Sequence, residues 1–107
     1  MPCLFDGKLP DLNIGTNDGN SCSQKITLAV ENVCAASSQY SSIFNGRFKG
    51  GWTTRHYGKP DAGYHAIQME LSQCSYMLET HPWHYDTAKA QRLRLLLKDI
   101  LENCLTV

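Results

Sequence analysis

The strongest constraint on this chain lies near its C-terminal end. Leu93, Leu96, Leu97, Ile100, Leu101 and Cys104 recur at intervals of three and four residues, the period of an α-helix with one apolar face. Asp86 is placed to cap that helix. Lys89, Arg92, Lys98, Asp99 and Glu102 fall mainly on its other side. A helix of this kind is marginal in isolation and must lie on a second apolar surface. The segment 65–71 offers one. His65, Ile67, Met69 and Leu71 alternate with Ala66, Gln68 and Glu70, the period of a half-buried strand. The apolar set is expected to face a helix, with Gln68 and Glu70 on the opposite face. A carboxylate there needs a physical reason, because an unpaired buried carboxylate is costly.

A first helix is expected after Ser21 or Ser23, either of which can cap it. Ile26, Val30, Val33 and Cys34 form its stripe, extended by Ala29 and Ser37. Residues 40–44 read as a short strand closed by Asn45-Gly46. Residues 53–57 read as another, with Thr53, Arg55 and Tyr57 on one face and Thr54 and His56 on the other. Residues 1–20 read as an extended loop, punctuated by Pro2, Gly7, Pro10, Gly15 and Asn17-Asp18-Gly19. The resulting order is helix, strand, strand, strand, helix. It predicts a single α/β domain over residues 1–107: a short mixed sheet with two main helices, resembling one edge of a sandwich. Two helices cover one face of such a sheet and leave the other poorly covered. An N-terminal half or a second copy of the chain is the expected cover.

Ten basic and ten acidic residues cancel, so no global field draws the chain to nucleic acid or to an anionic membrane. No apolar run approaches the length of a membrane span. The first twenty residues lack the pattern of a signal peptide, and a cytoplasmic location is expected. Cys3, Cys22, Cys34, Cys74 and Cys104 are odd in number and widely spaced. They read as small buried hydrophobes rather than as a disulfide frame or a zinc knuckle. His81-Pro82-Trp83-His84 has no correctly spaced acidic or thiol partner, and HExxH and GxSxG are absent. No metal ligands are assigned.

The segment Asn45-Gly46-Arg47-Phe48-Lys49-Gly50-Gly51-Trp52-Thr53-Thr54-Arg55-His56-Tyr57-Gly58 concentrates cationic and imidazole groups a short way before Glu70. Arg55 presents a rigid fork of donors that matches a carboxylate, or it serves a structural ion pair. Arg47 and Lys49 carry the same two readings; beside Gly50-Gly51 they also suggest a phosphate loop, but the surrounding pattern of that loop is missing. Gly50-Gly51 permits a tight bend or a close approach of backbone to ligand. His56 and His65 are candidate donors to a developing oxyanion, or structural histidines. Glu70, facing a cleft, is a candidate proton carrier; otherwise it is a carboxylate at a wetted sheet edge paired with a lysine or arginine.

Several blocks resemble the N-formylglutamate deformylase (N-formylglutamate amidohydrolase) family. They are Leu4-Phe5-Asp6-Gly7-Lys8-Leu9-Pro10-Asp11-Leu12-Asn13-Ile14-Gly15-Thr16-Asn17-Asp18-Gly19, then Asn45–Gly51, Thr54–Gly58, residues 65–73 with Tyr76-Met77, and Tyr85-Asp86 before the last helix. They run in the family's order over nearly the whole chain. The resemblance implies a zinc-dependent amidohydrolase, related in fold to zinc carboxypeptidases and aspartoacylase, so that the chain is a partial three-layer sandwich. It implies cleavage of N-formyl-L-glutamate to formate and L-glutamate in histidine degradation. By the same resemblance Glu70 is the general base and then acid, and Arg55 the clamp on a substrate carboxylate. Asn45, Arg47, His56 and Tyr57 support the pocket, and His65 lies in or behind it. A small acidic amino-acid derivative is the expected ligand. Family members are more than twice as long, with zinc ligands upstream of the block matching Leu4–Gly19. The chain is therefore expected to match the C-terminal part of the enzyme, to hold no zinc tightly by itself and to be inactive alone. A truncated remnant or an accessory ligand-binding protein is the alternative. His81-Pro82-Trp83-His84 departs from the family pattern.

Overall fold

The expected opening loop contains the central strand. In the computed structural model, which describes residues 10–77 and 84–107, β1 spans Leu12–Gly15. Four residues are too few to declare a period, and the glycines and asparagines around them signal turns. What makes the strand is pairing on both edges. It lies parallel to β2 (Ser42–Phe44) and antiparallel to β3 (Gln68–Leu71) in the order β2-β1-β3. Residues 1–9, where the rest of that expected loop falls, lie outside the described residues.

Register decides which side chains meet. Leu12 pairs with Ser42 and Leu71, Ile14 with Phe44 and Met69, Asn13 with Ile43 and Glu70, and Gly15 with Gln68. Because strand side chains alternate, Leu12, Ile14, Phe44, Met69 and Leu71 share one face. Leu12 and Ile14 are fully buried on it, against Val30 and Cys34 of α1 (Gln24–Ala36) and Leu93, Leu96 and Ile100 of α3 (Thr87–Leu105). The parallel pair needs a crossover, and α1 provides it. Ser23 caps α1 by accepting from the Ile26 N–H, and Asp86 caps α3 by accepting from the Lys89 N–H at 3.0 Å. The two helices are also tied by Asn103 Nδ2, which donates to the Ala29 carbonyl at 2.7 Å.

The α3 stripe needs one correction. Its buried residues are Ala90, Leu93, Leu96 and Ile100. Leu97 and Cys104 are half-buried, and Leu101 is 66% exposed. At 3.6 residues per turn Leu101 stands about 80° round the helix from Leu93, beyond the strip that α1 and the sheet cover. Cys22 and Cys34 are buried, as expected of small hydrophobes, while Cys74 and Cys104 are half-buried; these four are free thiols. Burial pushes the Cys22, Cys34 and Cys104 thiols up. Cys3 is outside the described residues, as are His81, Pro82 and Trp83; His84 is exposed.

Two side chains pin the ends of the sheet. The buried Asp11 carboxylate accepts from Ser41 N–H at 2.9 Å and from Ser72 Oγ at 3.4 Å, joining β1 to the segments that flank β2 and β3. At the other end Asn45 Oδ1 accepts from Thr16 N–H (2.9 Å) and Asp18 N–H (3.2 Å), and Asn45 Nδ2 donates to Thr16 Oγ1 (2.9 Å). Asn45 has φ of 51°, a conformation asparagine tolerates better than most residues.

Candidate active site

The second sheet face carries Asn13, Gly15, Ile43, Gln68 and Glu70 by alternation. It is not left bare. Residues 45–51 run across it and lead into α2 (Trp52–Tyr57). Asn13 holds this crossing by its carboxamide: Nδ2 donates to the Phe48 carbonyl and Oδ1 accepts from Phe48 N–H. Gly15 lies directly beneath it. A Cβ on Gly15 would stand 2.8 Å from both the carbonyl carbon and oxygen of Lys49. Of the two readings of Gly50-Gly51, a bend is seen at Gly50, with φ of 130°; the close backbone approach is that of Lys49 over Gly15.

The expected strand over residues 53–57 is a helix. Thr53-Thr54 favours strands by propensity, but Gly50 has φ of 130° and turns the chain so that Arg55 N–H reaches the Gly51 carbonyl at 3.1 Å. Helical spacing changes the neighbours. Trp52 and His56, four residues apart, stack with ring centroids 4.3 Å apart and planes 12° from parallel. Tyr57 meets the His56 ring edge-on. Thr54 is buried, whereas Arg55, His56 and Tyr57 are exposed.

Glu70 is joined to this helix through Gln68. Gln68 Nε2 donates to Glu70 Oε1 at 2.6 Å. Gln68 Oε1 accepts from Gly51 N–H at 2.6 Å and from Thr54 Oγ1 at 3.5 Å. Arg55 Nη1 donates to the Gly50 carbonyl at 3.4 Å, beside that junction. Glu70 and Arg55 are therefore linked through a short series of contacts. A guanidinium has five donors, so the contact to Gly50 anchors the fork and leaves capacity for a carboxylate.

The other expected pocket residues divide. Arg47 is exposed on the crossing segment. His56 and Tyr57 lie on α2 with Arg55. Asn45 spends its carboxamide on the Thr16–Asp18 turn. His65 Nδ1 accepts from Ser23 N–H at 3.0 Å, which engages that ring nitrogen at the start of α1. The sequence placed Gln68 and Glu70 on one face but gave no partner to Gln68 and no role to Asn13. Hollows among the described residues lie elsewhere. One of about 740 Å³ is lined by residues including Val33, Tyr40, Leu96 and Asn103; another of about 480 Å³ is lined by residues including Asp11, Cys74, Lys89 and Arg92. Neither is lined by Glu70 or Arg55. Among the described residues no group of three or more His, Cys, Asp or Glu could hold a metal ion, so these residues do not fit a zinc site. No helix among them is long and apolar enough to cross a membrane.

The family model for N-formylglutamate amidohydrolase matches residues 1–77. The chain belongs to the N-formylglutamate amidohydrolase family. It is 50% identical over 105 residues to the N-formylglutamate deformylase of Pseudomonas aeruginosa, covering 98% of this chain and 40% of that protein. It is 49% identical over 102 residues to that of Pseudomonas putida, covering 95% and 38%. The fold is similar to the crystal structure of N-formylglutamate amidohydrolase from Ralstonia eutropha JMP134, with a TM-score of 0.79 and 23% identity over 96% of this chain and 36% of that one. The chain thus spans about two fifths of the length of the curated relatives it matches. Family membership agrees with the blocks read in the sequence, and the family match includes Arg55, Gln68 and Glu70.

Proposed function

We propose that this chain supplies the substrate clamp and the proton carrier of an amidohydrolase acting on N-formyl-L-glutamate or a related N-acyl acidic amino acid. The observation that carries this reading is the linkage of Glu70, through Gln68, to the segment that bears Arg55. Family membership and the names of the curated relatives support the substrate class.

Arg55 binds a substrate carboxylate and fixes the position of the scissile amide. Water adds to the formyl carbon while Glu70 takes its proton. The C–N bond then breaks, and Glu70 returns the proton to the departing nitrogen. Formate and L-glutamate are the products. The resemblance implies zinc, which when bound polarises a carbonyl and activates water. On this reading its ligands come from outside the described residues. The 107 residues by themselves then bind the acidic substrate without turning it over.

The test replaces the matched segment of the Pseudomonas aeruginosa relative with this chain and follows formate release. The chimera is expected to be active. Glu70→Gln should lower kcat by roughly 10²–10⁴-fold, the usual worth of a positioned base, and Arg55→Ala should act mainly on KM. An active chimera indifferent to both substitutions would refute the assignment. Formate release by the 107-residue chain with zinc alone would overturn the division of labour.

A further inference from the structure

We infer that Gln68 is a positioning residue that couples the Glu70 carboxylate to the Gly50–Arg55 segment. This deepens the reading above and rests on its assignment of Glu70 and Arg55.

The carboxamide has one orientation that satisfies its neighbours. Gly51 N–H is a donor, so the atom it meets must be Oε1. The Thr54 hydroxyl donates to the same oxygen. Nε2 is then turned to Glu70, where a carboxylate accepts it at 2.6 Å. Reversing the amide would set Nε2 against Gly51 N–H and Oε1 against the Glu70 carboxylate, losing both bonds. Strand alternation keeps Gln68 and Glu70 on one face, and pairing with Gly15 and Asn13 fixes their register. Across from them the crossing segment is held to β1 by Asn13 through Phe48. One rigid amide thus spans two elements, a strand and the start of a helix. Movement of Gly50–Thr54, and with it the base of Arg55, is passed to Glu70 through Gln68.

The test reads amide exchange and chemical shift at Gly51 in the 107-residue chain. Gln68→Met keeps the length of the side chain and removes all three of its hydrogen bonds. It should speed Gly51 exchange by about tenfold, the loss of one modest hydrogen bond. Glu70→Ala should shift the Gly51 amide resonance through Gln68, and should have no added effect in the Gln68→Met background. In the active chimera Gln68→Met should lower kcat by roughly tenfold, as loss of an outer hydrogen-bonding partner does at other sites. Unchanged Gly51 exchange in Gln68→Met, or additive effects in the double variant, overturns the coupling whatever the activity. Coupling found together with full activity of Glu70→Gln overturns the catalytic role of Glu70 and leaves the amide link in place.

Discussion

The position of β1 gives the sharpest test of the fold, because sequence periodicity and tertiary structure rank two residues in opposite order. Ile14 sits in a stretch that reads as loop, yet it has no exposed surface and is flanked by Phe44 on one strand and Met69 on the other. Leu101 lies in the plainest apolar stripe of the chain, yet it is 66% exposed. Truncating a buried isoleucine to alanine costs about 2–5 kcal/mol, with the upper part of that range where the surroundings cannot close on the cavity. Ile14 is held between paired strands and beneath two helices, so we expect about 4 kcal/mol for Ile14→Ala, a large part of a small domain's stability. Leu101→Ala should cost about 0.5 kcal/mol or less, as surface changes do. Urea unfolding followed by circular dichroism measures both, and Ile14→Val, expected to cost about 0.5–1.5 kcal/mol, keeps the comparison readable if Ile14→Ala does not fold. Equal losses for Ile14→Val and Leu101→Ala, or a larger loss for Leu101→Ala than for either Ile14 variant, would refute the placement of β1 at the centre of the sheet.

Three further outcomes follow from the same contacts. Gly15→Ala forces a Cβ into the Lys49 backbone and should cost about 1–3 kcal/mol, with amide shifts in residues 45–51 larger than those in α3. Asp11→Ala leaves Ser41 N–H without its acceptor and removes one of the contacts of the Ser72 hydroxyl, and should cost about 1–3 kcal/mol in the same unfolding assay. Burial raises the Cys22, Cys34 and Cys104 thiols in the folded state. The unfolded chain therefore releases thiol protons at lower pH than the native one, and stability should fall as pH rises above the ordinary thiol range near about 8.5. The slope should be reduced in Cys34→Ala relative to the unsubstituted chain; an unchanged slope would remove Cys34 as a source of it.

Much of the helical layer was legible. Ser23 and Asp86 cap the helices whose stripes follow them, and those stripes supply most of the core. Alternation along 65–71 placed Gln68 and Glu70 on the face away from the helices, although the paired strand begins only at Gln68. The family blocks were legible too, since matching depends on residue identity and order rather than on conformation. Arg55 and Glu70 were visible as candidates, but the element carrying Arg55 was misread, because the propensity of Thr53-Thr54 points to a strand and only the turn at Gly50 decides otherwise.

By itself, then, the sequence determined the two long helices, the polar face of β3 and the family. These rest on local periodicity, capping and residue identity, which neighbouring positions express together. Tertiary structure alone decided that Leu12–Gly15 is the middle strand, that residues 45–51 cross its back, and that Gln68 joins Glu70 to the helix bearing Arg55. Each of these depends on partners 14 to 59 residues away, and a short strand or an amide has no periodic signature to announce a distant partner.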